Sequence, residues 1–232
     1  MMRWVLSVAI LVAIGVGSVM AYGRTSAVVA SRCGPSTSDP HPLRILILGD
    51  SIAAGSPLSA PDRWSDRMEA TLQVANPGRC VEARNVAVGG TMVDFLEASV
   101  AQPDLDTFDI AIVFEGVNDL GYVPFDEWRT RYEAAVGRLE AHGLRVVVGT
   151  PPPTIVDGSF EHKLDGLAAA ESSIACDHGR PLLDVERHWR EIGAKVAASY
   201  YVDAIHQGGL GQMVMSDMAA RLIERLPVGC RS

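Results

Sequence analysis

The stretch Arg44 to Gly55, RILILGDSIAAG, decides the fold. Its apolar run, Ile45 to Leu48, shows no polar alternation, which suits a strand buried on both faces, as in a parallel sheet. Gly49 then releases the backbone into a tight turn, and the small residues behind it can start a helix. Ser51 therefore stands at a strand exit. Ligands of open parallel sheets bind outside the carboxyl ends of the strands, and a helix start adds backbone N–H groups that suit an anion. Alone, Gly-Asp-Ser reads first as an ordinary turn with an N-cap, so its meaning rests on what the rest of the chain places beside it.

Strands and helices alternate from there to the end. A helix over Arg63 to Val74, with Trp64, Met68 and Leu72 on one face, leads to a strand at Val81 to Val86 and a turn at Gly89-Gly90. A short amphipathic piece through Phe95 and Val100 precedes a third strand, Ile110 to Phe114, which runs into Glu115-Gly116-Val117-Asn118-Asp119. Phe125, Trp128, Tyr132, Val136 and Leu139 mark the next helix, ended by His142-Gly143, and read as a packed stripe rather than a binding platform. A fourth strand at Arg145 to Gly149 meets the stiff loop Pro151-Pro152-Pro153, which suits a wall of a site. Then come a helix over Ser159 to Asp177, a fifth strand at Pro181 to Val185, and a shorter helix over His188 to Ser199. The last helix, Gly209 to Leu226, carries Leu210, Val214, Met218, Leu222 and Leu226 on one face. This alternation predicts an α/β fold in three layers, with a parallel sheet of about five strands covered on both sides, and shows no internal repeat.

The 232 residues, 48% of them hydrophobic, supply one sizeable core. Trp4 to Tyr22 is free of charge and flanked by Arg3 and Arg24, so residues 1–30 read as a targeting segment, either a cleaved signal peptide or a membrane anchor. Val19-Met20-Ala21 offers a small-residue cleavage pattern for the first, and the length of the run suits the second. Both readings put the following domain, residues 44–232, outside the cytoplasm, secreted or held at the membrane by that segment. Residues 31–43, rich in Ser, Pro and Gly, form the linker. A net charge of −8, with no Lys/Arg cluster, disfavours a nucleic-acid partner. Cys33, Cys80, Cys176 and Cys230 match no zinc spacing, and in an exported chain they read as disulfides. The topology gathers all four at the amino-terminal edge of the sheet and prefers Cys33 with Cys80 and Cys176 with Cys230.

Three strand exits and the segment before the last helix thus present Ser51, Gly90, Asn118 and His206. The motifs GDS at 49–51, GG at 89–90, GVND at 116–119 and DAIH at 203–206 resemble the four blocks of the SGNH hydrolases, the GDSL esterase/lipase family. The likeness runs from about Arg44 to Leu226. It implies a flavodoxin-like fold, a Ser51 nucleophile, a His206 base oriented by Asp203, and an oxyanion hole from the N–H groups of Ser51 and Gly90 (Gly89 as the alternative) with the Asn118 amide. Ile52 replaces the leucine of GDSL, and Gln207 stands where many members have proline.

These residue types fit the chemistry. A serine hydroxyl attacks at neutral pH only when a base takes its proton, and an acid three residues before the histidine can fix its tautomer from the same turn. Each also has a plainer reading: His206 as a surface histidine, Asn118-Asp119 as a turn, Asp50 as a residue holding the turn rather than a triad member. His41, His142, His162, His178 and His188 lie away from strand exits and receive no role. The expectation is an exported serine ester hydrolase without metal or organic cofactor, acting on a small acyl ester or an O-acetylated carbohydrate. An acyltransferase on the same scaffold and a non-catalytic carbohydrate-binding module are the alternatives, although no nucleotide-binding glycine motif follows the first strand. Met92, Val93, Val117, Leu120 and Ile205 are candidates for an acyl pocket or for core.

Overall fold

In the computed structural model, which describes residue 33 and residues 42–102, 104–155 and 158–226, the apolar runs form β1 (Leu43–Gly49), β2 (Val81–Asn85), β3 (Ile110–Phe114), β4 (Arg145–Gly149) and the short β5 (Leu182–Leu183). They make a parallel sheet in the order β2-β1-β3-β4-β5. The order reverses between β1 and β3, so a crevice opens beyond the ends of these two strands. The β3 strand is buried along its whole length, as an inner strand covered on both faces must be.

The helices are α1 (Ser51–Ala54), α2 (Trp64–Ala75), α3 (Val93–Ser99), α4 (Phe125–Ala141), α5 (Ser159–Asp177), α6 (Val185–Ile192), α7 (Ala194–Ala197) and α8 (Gly209–Glu224). Right-handed crossovers send α2 to one face and α3, α4 and α5 to the other. Accordingly α2 packs on α8, and α3 packs on α4. Trp64, Met68 and Leu72 are fully buried under α2, and Trp128, Tyr132, Val136 and Leu139 under α4, as their spacing predicts. Phe125, at the first turn of α4, is instead exposed.

Two helices differ from expectation. The segment after β5 starts earlier, at Val185, where Asp184 caps it by accepting the N–H of Arg187, and Gly193 breaks it into α6 and α7. The most buried face of α8 lies beside the Leu210–Leu226 row, of which Val214, Met218, Leu222 and Leu226 pack against the core while only partly buried. That face is Gly211, Gln212, Met215, Ser216, Ala219, Ala220 and Ile223, while Leu210 is exposed. Small residues win this face because the neighbouring backbone comes close. A Cβ on Gly211 would stand 2.7 Å from the carbonyl oxygen of Tyr200.

Cys33 and Cys80 are joined by a disulfide, and Cys33 is buried. Cys80 precedes β2 and its carbonyl accepts the N–H of Leu43 at the start of β1, so this bond lies at the amino-terminal edge of the sheet. Cys230, the proposed partner of Cys176, lies outside the described residues, as do residues 1–30. Among the described residues no helix is long and apolar enough to cross a membrane.

A further feature of the core is absent from the sequence reading. Glu171, in the middle of α5, is fully buried and its Oε2 has no hydrogen-bond partner. Burial first, and then the carboxyls of Asp50 and Glu115, push its pKa well above the carboxylate range. The folded state therefore keeps a proton that the unfolded chain releases above about pH 4, and this group's contribution to stability is lost progressively as pH rises. Glu171→Gln cannot ionise and removes this pH dependence. Chemical denaturation from pH 4 to pH 8 should show the variant gaining on wild type as pH rises, and parallel stability curves would contradict a protonated Glu171.

Candidate active site

The exit of β1 is shaped by its contact with β3. Gly49 pairs with Phe114 and adopts φ +130°, and a Cβ there would fall 1.6 Å from the Phe114 carbonyl oxygen. The same oxygen accepts the N–H of Asp50 at 2.9 Å. The chain can then turn into α1 only through a residue without a side chain. Asp50 is fully buried and caps α1, its Oδ1 accepting the N–H of Ile52 at 2.9 Å, which is the turn-holding role expected of it. Trp64 clamps α1 from α2, its indole N–H lying 3.1 Å from the carbonyls of both Ile52 and Ala53.

His206 arrives from the far end of the chain on a loop tied at several points. Tyr201 pairs with Gln207, the Val202 N–H donates to the His206 carbonyl at 2.9 Å, and the Gly208 N–H donates to the Tyr200 carbonyl at 2.7 Å. Gln207 is buried and donates its side-chain amide to the Ile205 carbonyl. Gln212, buried in α8, bridges the loop to α2 by donating to the Gln207 carbonyl and accepting the Trp64 N–H. The loop after the triple proline closes the other side, since Thr154 Oγ1 and the Ile155 N–H both donate to the Ala204 carbonyl.

These ties bring Ser51, Asp203 and His206 together. His206 Nε2 lies 2.9 Å from Ser51 Oγ, and His206 Nδ1 lies 2.8 Å from Asp203 Oδ2. Asp203 Oδ1 also accepts the N–H groups of Ile205 and His206. Partial burial acts to raise the Asp203 pKa, but these N–H groups and the imidazole outweigh it and hold the carboxyl below its usual range. An ionised Asp203 accepts a hydrogen bond from Nδ1–H, which leaves Nε2 as the acceptor facing Ser51 Oγ.

The other two motifs border the same serine. Gly89 passes beside Ser51, where an added Cβ would lie 3.5 Å from the Ser51 Cβ. Gly90, at φ +83°, has open space around its Cβ position, and its N–H donates to none of the described residues. Asn118 is half-buried at the exit of β3 and donates one amide hydrogen to the Thr91 carbonyl at 2.9 Å, keeping the second for another acceptor. Asp119 is buried and accepts the Val93 N–H, which starts α3. Of the candidate pocket residues, Val93 and Val117 are core, while Met92, Leu120 and Ile205 are partly exposed. Among the described residues no cluster of His, Cys, Asp and Glu could hold a metal ion.

The sequence reading missed the polar support beneath these groups. Asp50, Glu115, Asp119 and Glu171 are all buried, each with one carboxyl oxygen lacking a partner. Burial raises Asp50 to about 7 and Glu115 to about 10, with the neighbouring carboxyls adding to the effect. A glutamate directly after an all-apolar inner strand was the available signal for this set.

The model of the GDSL-like lipase/acylhydrolase family matches residues 47–214. The chain belongs to this family. Solved structures with the same fold include a lipolytic G-D-S-L family protein from Veillonella parvula DSM 2008, at TM-score 0.69 and 16% identity, covering 79% of this chain and all of that one. An acetyl xylan esterase matches at TM-score 0.69 and 18% identity, covering 78% of this chain and 100% of the other. An acetylxylan esterase from Geobacillus stearothermophilus matches at TM-score 0.67 and 19% identity, covering 82% and 97%. A comparison with curated proteins gave no match.

The Gly49 contact makes a direct prediction for this family member. Gly49→Ala forces β1 and β3 apart at their exits and is expected to cost more than about 3 kcal/mol in thermal or chemical denaturation. Wild-type stability in that variant would contradict the close approach of Gly49 to Phe114.

Proposed function

We propose that the protein is an exported serine ester hydrolase that works through an acyl-enzyme on Ser51. The observation that carries this reading is the unbroken chain from Ser51 Oγ to His206 Nε2 and from His206 Nδ1 to Asp203, at 2.9 and 2.8 Å. His206 takes the Ser51 proton as Oγ attacks the ester carbonyl carbon, and the imidazolium then gives that proton to the departing alkoxide oxygen. Water repeats the sequence in reverse: His206 takes its proton, hydroxide adds to the acyl carbon, and Ser51 Oγ leaves with the proton restored. Asp203 holds the tautomer and stabilises the imidazolium.

The oxyanion hole in this reading consists of the Ser51 and Gly90 N–H groups and the unused hydrogen of the Asn118 amide. These donors belong to three different strand exits, and donors held by a scaffold before substrate arrives are the effective kind. For the substrate we propose a small acyl ester, with O-acetylated carbohydrate as the leading class. The two acetyl xylan esterases among the structural neighbours support that choice. Export is supported by the charge-free N-terminal stretch and by the Cys33–Cys80 disulfide, which suits an oxidising compartment.

Hydrolysis of p-nitrophenyl acetate and of acetylated xylo-oligosaccharide by wild type and variants tests the reading. Ser51→Ala should fall to background, and Asn118→Ala should lose about a hundred- to a thousandfold in kcat. Turnover that survives Ser51→Ala would overturn the mechanism.

A further inference from the structure

Behind the oxyanion turn, Glu115 faces Thr91. Glu115 Oε2 lies 3.3 Å from Thr91 Oγ1, which also lies 2.7 Å from the Val88 carbonyl and 3.4 Å from that of Gly49. A threonine hydroxyl has one hydrogen to give, and the shortest contact assigns it to Val88. A carboxylate would then set one acceptor against another at Thr91. A carboxylic acid donates there instead and completes the set. The turn so fixed, Val88 to Thr91, contains Gly89 and Gly90, and the Thr91 carbonyl is the acceptor that orients Asn118.

We propose that Glu115 is a positioning residue of the oxyanion hole: as a neutral acid it donates to Thr91 Oγ1, and Thr91 in turn holds the Gly89-Gly90 turn and the Asn118 amide. The inference rests on the ester-hydrolase reading given above. Burial, and then the Asp50 and Asp119 carboxyls, favour the neutral form of Glu115 and outweigh the opposing contacts with Thr91 and the Gly116 backbone. Asp50 approaches from the β1 exit, Asp119 from the same loop as Glu115, Glu171 from α5 and Tyr132 from α4. The gap lined by Asp50, Glu115, Val117, Pro151 and Glu171 is too narrow to hold a water molecule, so a charge there would have no solvent. His206 acts on the set through Asp50. Burial, followed by the Asp50 and Asp119 carboxyls, holds the Glu115 proton up to about pH 10.

Glu115→Gln keeps a donor at this place and cannot ionise, whereas Glu115→Ala removes the donor. With p-nitrophenyl acetate near pH 8, Glu115→Gln should turn over close to wild type. Glu115→Ala should lose at least about tenfold in kcat at unchanged KM. The wild-type kcat should decline as pH passes about 10, and Glu115→Gln should lack that decline. An unimpaired Glu115→Ala, a Glu115→Gln as damaged as the alanine variant, or identical alkaline limbs would each overturn the proposal. Two readouts need no turnover. The infrared difference spectrum of wild type minus Glu115→Gln at neutral pH should show a protonated carboxyl band, and the Asn118 side-chain amide resonances should shift in Glu115→Ala but not in Glu115→Gln. Absence of either result overturns the positioning role. Absence of ester hydrolysis by wild type instead defeats the ester-hydrolase reading, and the two spectroscopic results then decide the role of Glu115.

Discussion

The contact between Gly49 and the Phe114 carbonyl sets the geometry that the rest of the site depends on. Two inner strands of a parallel sheet end side by side there, and the first turns into α1 so tightly that no side chain fits at the turn. Because the Asp50 N–H is tied to Phe114 and its side-chain carboxyl to Ile52, Ser51 cannot drift along the strand axis. Every other functional group is placed relative to this point. The strand order reverses here, so the connections after β1 and β3 leave towards opposite faces of the sheet and open the crevice that doubly wound sheets use for ligands.

The carboxyl groups of the site divide into two populations by solvent access. Asp203 lies at the surface, accepts three hydrogen bonds from its own turn, and stays ionised below the usual range. Asp50, Glu115, Asp119 and Glu171 lie buried behind the nucleophile, and burial pushes them towards the neutral form. One group supplies a fixed negative charge to the imidazole. The other supplies polar structure without concentrating negative charge beneath a site where an oxyanion must form. The cost falls on stability, since buried acids that keep their protons weaken the fold as pH rises.

Much of this was legible in the sequence because strand burial and helical periodicity are local signals. The bounds of β3, β4 and α5 read off the chain agree with the structure residue for residue, and the two-faced burial of the apolar runs was enough to specify a parallel sheet. The α8 face was read only in part: Val214, Met218, Leu222 and Leu226 do pack on the core, but the small residues beside them are the more deeply buried. Those small residues are buried for steric reasons, set by the approach of the Tyr200 carbonyl, that the sequence of α8 does not contain. The buried carboxyls escaped notice for a related reason: Glu171 sits on an alanine-rich face and Glu115 follows an apolar strand, and a lone charged residue in such a place reads as a boundary. Thr91 could not be assigned from sequence at all, since its bonds join Gly49, Val88, Glu115 and Asn118 across three strand exits.

The central claim is that Ser51 is made nucleophilic by His206, and covalent trapping reads this step directly. Wild-type protein treated with a fluorophosphonate probe should gain the mass of one adduct, with the modified peptide containing Ser51, and His206→Ala should label far more slowly. An adduct on another residue, or equal labelling rates in the two proteins, would contradict the account.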